Sequence, residues 1–180
     1  FFHVAGLRIV YPSTPSDAKG LLLAAFEDPN PVLFFEHKGL YRSIKEDVHT
    51  AEYTIEIGKA NVLSKGDDIT FITYGLGVQW CQEIIDNQGV SATLVDLRTL
   101  LPWDKDTVRE AVKSTGKVIV VHEDTQEGGI GGEIAAWIGE HCFRDLDAPV
   151  MRVGSLDTPI PFNADLEINI INFHQMTWGD

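Results

Sequence analysis

Three stretches of this sequence hold residues whose types and spacing suit chemistry. In "AAFEDPNP" (24–31), Asp28 and Asn30 bracket Pro29 just after an apolar helical run. The last carbonyls of a helix have no intrahelical partner, so free carbonyls beside two oxygen-bearing side chains make a set suited to a hard cation. A simple helix-terminating turn accounts for the same residues and is the plainer reading. In "HEDTQEGGIGGE" (122–133), His122, Glu123 and Asp124 stand at the end of a strand pattern, and glycines open the helix that follows. The carboxyl end of a parallel strand is where α/β proteins bind ligands, and it is also where subunits meet. In "EHCFRDLDAP" (140–149), Glu140, Asp145 and Asp147 surround a helix end, where negative charge opposes the macrodipole. Water or a basic partner must offset that charge.

Other chemistries lack their residues. Gly129 and Gly131 are not followed by a glycine at 134, which is Ile, and four acids (Glu123, Asp124, Glu127 and Glu133) ring the loop. Close backbone packing suits these glycines better than a phosphate. The sequence contains no GxxxxGK[ST] and no GxSxG, and its six histidines form no metal-ligand pair. Cys81 and Cys142 are far apart and not in a CxxC, which fits reduced thiols. Fourteen Lys and Arg against 27 Asp and Glu give a net charge of −13, with no basic stripe for a nucleic acid. No apolar run approaches the roughly 18 residues of a membrane span, and no signal-peptide pattern opens the chain. A reducing, cytosol-like compartment is expected.

These residues need a frame. "LRIVYP" (7–12), "STPSDAKGLLLAAFEDPN" (13–30) and "PVLFFE" (31–36) read as strand, helix and a buried-type strand, a βαβ unit. Residues 37–56 lack periodicity and read as a linker. In 58–75 the turn signal "SKGDD" separates two strands. A helix follows over 78–89, ended by Asn87 and Gly89, then a strand over 91–97 and a helix over 104–116 capped by Asp104. A buried strand (117–123), a glycine-opened helix (128–142) and a last strand (148–154) complete the pattern. The alternation predicts an α/β fold, a mostly parallel sheet with helices on both faces. Between the strand at 91–97 and the next helix stand Arg98, Pro102 and Trp103. Pro102 prevents strand extension and Trp103 covers the junction.

The stretches "GLRIVYPSTPSDAKGLLLAAFEDPNPVLFFEHKGLYR", "VDLRTLLPWDKDTV", "VHEDTQEGGIGGEIAAWIGEHCFRDLDAPVMRV" and "DTPIPF" together resemble the beta subunit of the thiamine-diphosphate-dependent 2-oxo acid dehydrogenases. "HEDTQEGG" and "EHCFRDLDAP" look most like the branched-chain (2-oxoisovalerate) enzyme. The resemblance runs from about residue 5 to residue 166 and covers the later half of such a subunit, or of a fused alpha–beta chain. It implies that 1–36 is the tail of a pyrimidine-binding domain and 57–160 a transketolase C-terminal-like domain, with an atypical tail at 161–180. In that tail "INIINFHQMTWGD" shows little signal for the amphipathic helix that usually ends the family's chain.

The resemblance implies an oxidative decarboxylation of a branched-chain 2-oxo acid, with thiamine diphosphate and magnesium held mostly outside this chain and acyl transfer to lipoamide. The family's cofactor-gripping glutamate and catalytic histidine fall upstream of residue 1, and His3 matches its second, non-catalytic histidine. No catalytic or cofactor-binding residue is therefore expected here. A potassium site is implied at the carbonyl of Ala25, with Asp28 and Asn30 close behind. Asp147, with Glu140 and Asp145 as neighbours, falls where the family docks the subunit-binding domain of its dihydrolipoyl acyltransferase. An alpha subunit and a second copy of the chain are the other implied partners. Arg98 is read as an ion-pairing group. Two alternatives stand: a pyruvate or acetoin dehydrogenase, and a non-catalytic interaction module of the same fold.

Overall fold

The computed structural model describes residues 1–170. The chain runs β1 (Arg8–Val10), α1 (Pro15–Glu27), β2 (Val32–Phe34), α2 (Leu40–Ser43), β3 (Asn61–Ser64), β4 (Ile69–Thr73), α3 (Leu76–Gln88) and β5 (Ala92–Asp96). It continues through β6 (Thr99–Leu101), α4 (Lys105–Thr115), β7 (Val118–Thr125), α5 (Ile130–His141), a 3₁₀ turn at Phe143–Asp145, β8 (Met151–Ser155) and α6 (Ala164–Ile170).

Local chemistry sets most of these limits. Thr14 accepts a hydrogen bond from the Asp17 amide and Pro15 enters the first turn, so α1 starts there. Asp104 caps α4 through the Thr107 amide, and Gly116 closes it at φ 65°. Gly89 ends α3 in the same left-handed conformation, at φ 66°.

The larger sheet has the order β3-β5-β4-β7-β8, with β5, β4, β7 and β8 parallel and β3 antiparallel on the edge. The strands flanking the "SKGDD" turn are therefore not neighbours, because β5 lies between them. Side chains alternate between two cores as strand geometry requires. Phe71, Leu94, Ile119 and Val121 pack with Trp80 and Cys81 of α3 on one face. Ile72, Val95, Val118 and Val120 pack on the other with Val108 and Val112 of α4 and Ile134 and Ile138 of α5. This is the mostly parallel sheet with helices on both faces. Each such buried aliphatic side chain contributes on the order of 1.5–3 kcal/mol.

Four features depart from the sequence reading. The presumed linker contains the one-turn helix α2. β2 is half-buried rather than buried, because it forms the edge of its own sheet. The tail begins with the seven-residue helix α6, with Asn163 accepting from the Asp165 amide; it reaches only residues 168–170 of "INIINFHQMTWGD", and residues 171–180 lie outside the described residues. Lastly, β6 was not expected at all. After β5 the chain reverses at Arg98, whose φ is 54°, and residues 99–101 pair antiparallel with β1 in a second sheet, β2-β1-β6. That pairing stitches the first βαβ unit onto the larger sheet's domain.

Candidate functional site

The strongest convergence of polar and aromatic side chains lies where the carboxyl ends of two sheets meet. From β4 the chain leaves through α3 to β5 on one side, and from β7 through α5 to β8 on the other. This reversal between adjacent strands opens a crevice at their carboxyl ends. Tyr74 follows β4, and Glu123 and Asp124 end β7. Across from them Tyr11 follows β1, and Phe35 and His37 follow β2. These residues line a cleft of about 600 Å³.

Inside it, His37 Nε2 stands 3.0 Å from Glu123 Oε1. The rings of Tyr11 and Tyr74 meet edge-on at 5.3 Å, and Tyr11 lies nearly parallel to Phe35 at 6.0 Å. Burial raises the Glu123 carboxyl above the ordinary carboxylate range, with His37 opposing that rise. Burial, then the Glu123 carboxylate, pushes the Tyr11 phenol up to about 12. Gly75, at φ 56°, is required here: a Cβ would stand 2.4 Å from the Tyr11 ring.

His122 belongs to the wall of this region rather than to its surface. It is 1% exposed, and its Nδ1 lies 3.0 Å from the Asp124 carbonyl, an acceptor, so Nδ1 carries the proton. Burial lowers its affinity for a second proton. The other side of the ring fills the space that Gly129, Gly131 and Gly154 leave; a Cβ on Gly131 would lie 2.3 Å from Nε2. The glycine-rich loop thus packs α5 onto an imidazole.

A second polar group lies at the junction of the two sheets. Asp96 is fully buried and accepts hydrogen bonds from the Ser13 hydroxyl and, at 3.0 Å, from the Arg98 amide. The Arg98 guanidinium pairs with Asp17 at 2.8 Å and donates to the Ala60 carbonyl at 3.1 Å. Arg98 therefore ties α1 to the turn between β5 and β6. Trp103 is buried edge-on against Trp137 at 5.0 Å, which seals the turn where α4 begins.

The residues singled out from the sequence lie elsewhere. Ala25, Asp28 and Asn30 sit together at the end of α1. The Asp28 carboxylate is held by Arg8 at 2.6 Å and by the amide and side chain of Asn30, both at 2.8 Å. The Ala25 carbonyl remains available to a cation, because Pro29, four residues on, has no N–H to give, and Asn30 engages Asp28 through its side-chain nitrogen rather than its oxygen. Glu140, Asp145 and Asp147 gather at the far end of α5, the pole of the sheet opposite the cleft, with Asp147 anchored by its amide to the Gly116 carbonyl at 2.7 Å. Arg109 and Lys113 of α4 border this acidic group through Cys142. Tyr11, Phe35, His37 and Tyr74 were not identified from sequence. The signal available was their position, each within three residues after a parallel strand.

Comparison with known proteins supplies a context for this geometry. Residues 58–173 match the family described as "Transketolase, C-terminal domain", and residues 1–44 match "Transketolase, pyrimidine binding domain". The chain is 53% identical over 171 residues to the 2-oxoisovalerate dehydrogenase subunit beta of Bacillus subtilis (strain 168), covering 93% of this chain and 52% of that protein. It is 48% identical to the mitochondrial 2-oxoisovalerate dehydrogenase subunit beta 2 of Arabidopsis thaliana, covering 89% of this chain and 46% of that one. It is 46% identical to the pyruvate dehydrogenase E1 component subunit beta of B. subtilis, covering 88% and 50%. Among solved structures, a split-gene transketolase described as an inactive beta4 tetramer superposes with a TM-score of 0.74 at 24% identity, covering 93% of this chain and 53% of that one. The chain thus spans about half the length of the curated relatives it matches.

Proposed function

Since the chain belongs to the family of transketolase C-terminal domains, we propose that it is the assembly and docking portion of a 2-oxo acid dehydrogenase decarboxylase component. The parent reaction is the oxidative decarboxylation of a branched-chain 2-oxo acid, with the acyl group passed to lipoamide. The observation that carries this reading is the 53% identity, across nearly the whole chain, to a 2-oxoisovalerate dehydrogenase beta subunit. The 46% identity to a pyruvate dehydrogenase beta subunit supports pyruvate as the second substrate reading. Bacterial cytoplasm and mitochondrial matrix both suit such relatives.

Thiamine diphosphate and magnesium are assigned to the parent enzyme, not to these residues. Among the described residues no three His, Cys, Asp or Glu side chains converge as a metal set, and the glycines that open α5 are packed against His122. The residues present do not fit that cofactor, so no chemical step is assigned to them. A potassium ion would take the main-chain oxygens at Ala25, Asp28 and Asn30, completed by groups from outside this chain.

The remaining roles are surfaces. The alpha subunit and a second copy of the chain are the proposed assembly partners. Glu140, Asp145 and Asp147 form the proposed docking face for the basic subunit-binding domain of the acyltransferase. Calorimetric titration of the chain with that domain tests it. The expected result is saturable binding that weakens with salt and falls by about tenfold or more in Asp147→Ala. Salt-independent binding, or binding that Asp147→Ala leaves intact, would remove this docking role.

A further inference from the structure

The cleft between the sheets has a chemistry that neither the docking face nor the proposed cation site uses. Its volume of about 600 Å³ is in the range of small-molecule sites. The rings of Phe1, Phe2, Tyr11, Phe35 and Tyr74 line it, and their cover is incomplete: Phe35 is 37% exposed and Tyr11 half-buried, while Tyr74 is 8% exposed. Two carboxyl groups, Glu123 and Asp124, line it, and Glu167 of α6 adds negative potential at Glu123. No Lys or Arg side chain is among the described residues lining it. An anion would meet the Glu123 and Asp124 carboxyls and aromatic ring faces, which carry negative potential, with only the imidazoles of His3 and His37 among those residues to offset them. A hard metal ion would find too few oxygens and too much hydrocarbon.

We propose that this cleft is a binding site for a small organic ammonium cation. Alkyl groups around the charge would lie against the faces of Phe35 and Tyr11, which gain by covering the cation, while the charge sits opposite Glu123. The carboxylate is already oriented for this. His37 holds Oε1, so less side-chain freedom is lost on binding. The pocket is built jointly by the first βαβ unit and the larger sheet's domain, so a bound cation also bridges the two.

The test uses the full chain and two probes of nearly equal shape: choline and its uncharged carbon isostere, 3,3-dimethylbutan-1-ol. Isothermal titration should give saturable choline binding and about tenfold weaker binding of the alcohol. Two variants are titrated alongside, Phe35→Leu and Glu123→Gln, each checked for native circular dichroism. Both should weaken choline, whereas only Phe35→Leu should affect the alcohol. Failure of choline to bind overturns the proposal. Equal binding of the two probes does so as well, because the cleft is then merely apolar. Unchanged choline affinity in both folded variants overturns it by placing the site elsewhere. None of these results involves decarboxylation or docking, so this inference and the proposed function stand or fall separately.

Discussion

Asp96 ends β5 in full burial, hydrogen-bonded by Ser13 and by the Arg98 amide, and burial pushes its carboxyl up to about 7 against those bonds. A carboxyl raised in the folded state binds its proton more tightly there than in the unfolded chain. Its contribution to stability is therefore whole below the ordinary carboxyl range and is lost as pH rises through 7. Urea midpoints should fall as pH rises from about 4.5 to 7, with a slope from this group of up to about 1.4 kcal/mol per pH unit, and its share should level off above 7. Asp96→Asn keeps a neutral partner for Ser13 and should flatten that slope. An unchanged pH dependence in the variant would show that Asp96 is ionised throughout. None of this was legible in "LVDLR", because an aspartate in a strand pattern gives no sign that Ser13, 83 residues earlier, closes over it.

At the scale of the element, the beginnings and ends of helices were the readable part. Asp104, Gly89 and Gly116 stop or start helices by rules that act within four residues, and they do so here. The glycine-opened helix was also readable as an element, whereas the reason for its glycines lay across the fold in His122. Gly131→Ala and Gly139→Ala separate the two kinds of glycine. The first would drive a methyl to 2.3 Å from the His122 ring, and the second meets nothing within 4 Å. Thermal unfolding should show Gly131→Ala destabilised by about 1–3 kcal/mol, and Gly139→Ala unchanged or stabilised by about 0.5–1 kcal/mol. Similar effects at both positions would mean that helix propensity, not the packing on His122, explains Gly131. The short strand β6 was missed for a related reason: three residues carry no periodicity, and its partner β1 is about ninety residues away.

For the molecule as a whole, the junction between the first βαβ unit and the larger sheet's domain carries the functional consequences. It consists of β6 beside β1, the Arg98–Asp17 ion pair, and the His37–Glu123 contact in the cleft. Arg98→Gln removes the ion pair at 2.8 Å but leaves both sheets intact. Hydrogen exchange should then speed up at the Tyr11 amide, which bonds the Arg98 carbonyl, while the amides of β4 and β5 keep their protection. Equal acceleration in both regions would mean that the two units open only together.

The sequence alone was sufficient for the α/β class, the order and rough limits of most helices and strands, and the family resemblance. These rest on hydrophobic periodicity, caps and contiguous motifs, all of which act over short stretches of chain. It also brought Asp28 and Asn30 to one turn, and Glu140, Asp145 and Asp147 to one helix end, because each set is local. Only the tertiary structure decided that Arg8 claims the Asp28 carboxylate, that Arg98 reaches Asp17, and that Tyr11, Phe35, His37, Tyr74 and Glu123 share one cleft. Those residues come from four strand ends scattered over more than a hundred positions. What unites them is the crossing of chain connections at the carboxyl edge of the sheets, a property of topology that no single stretch of sequence contains.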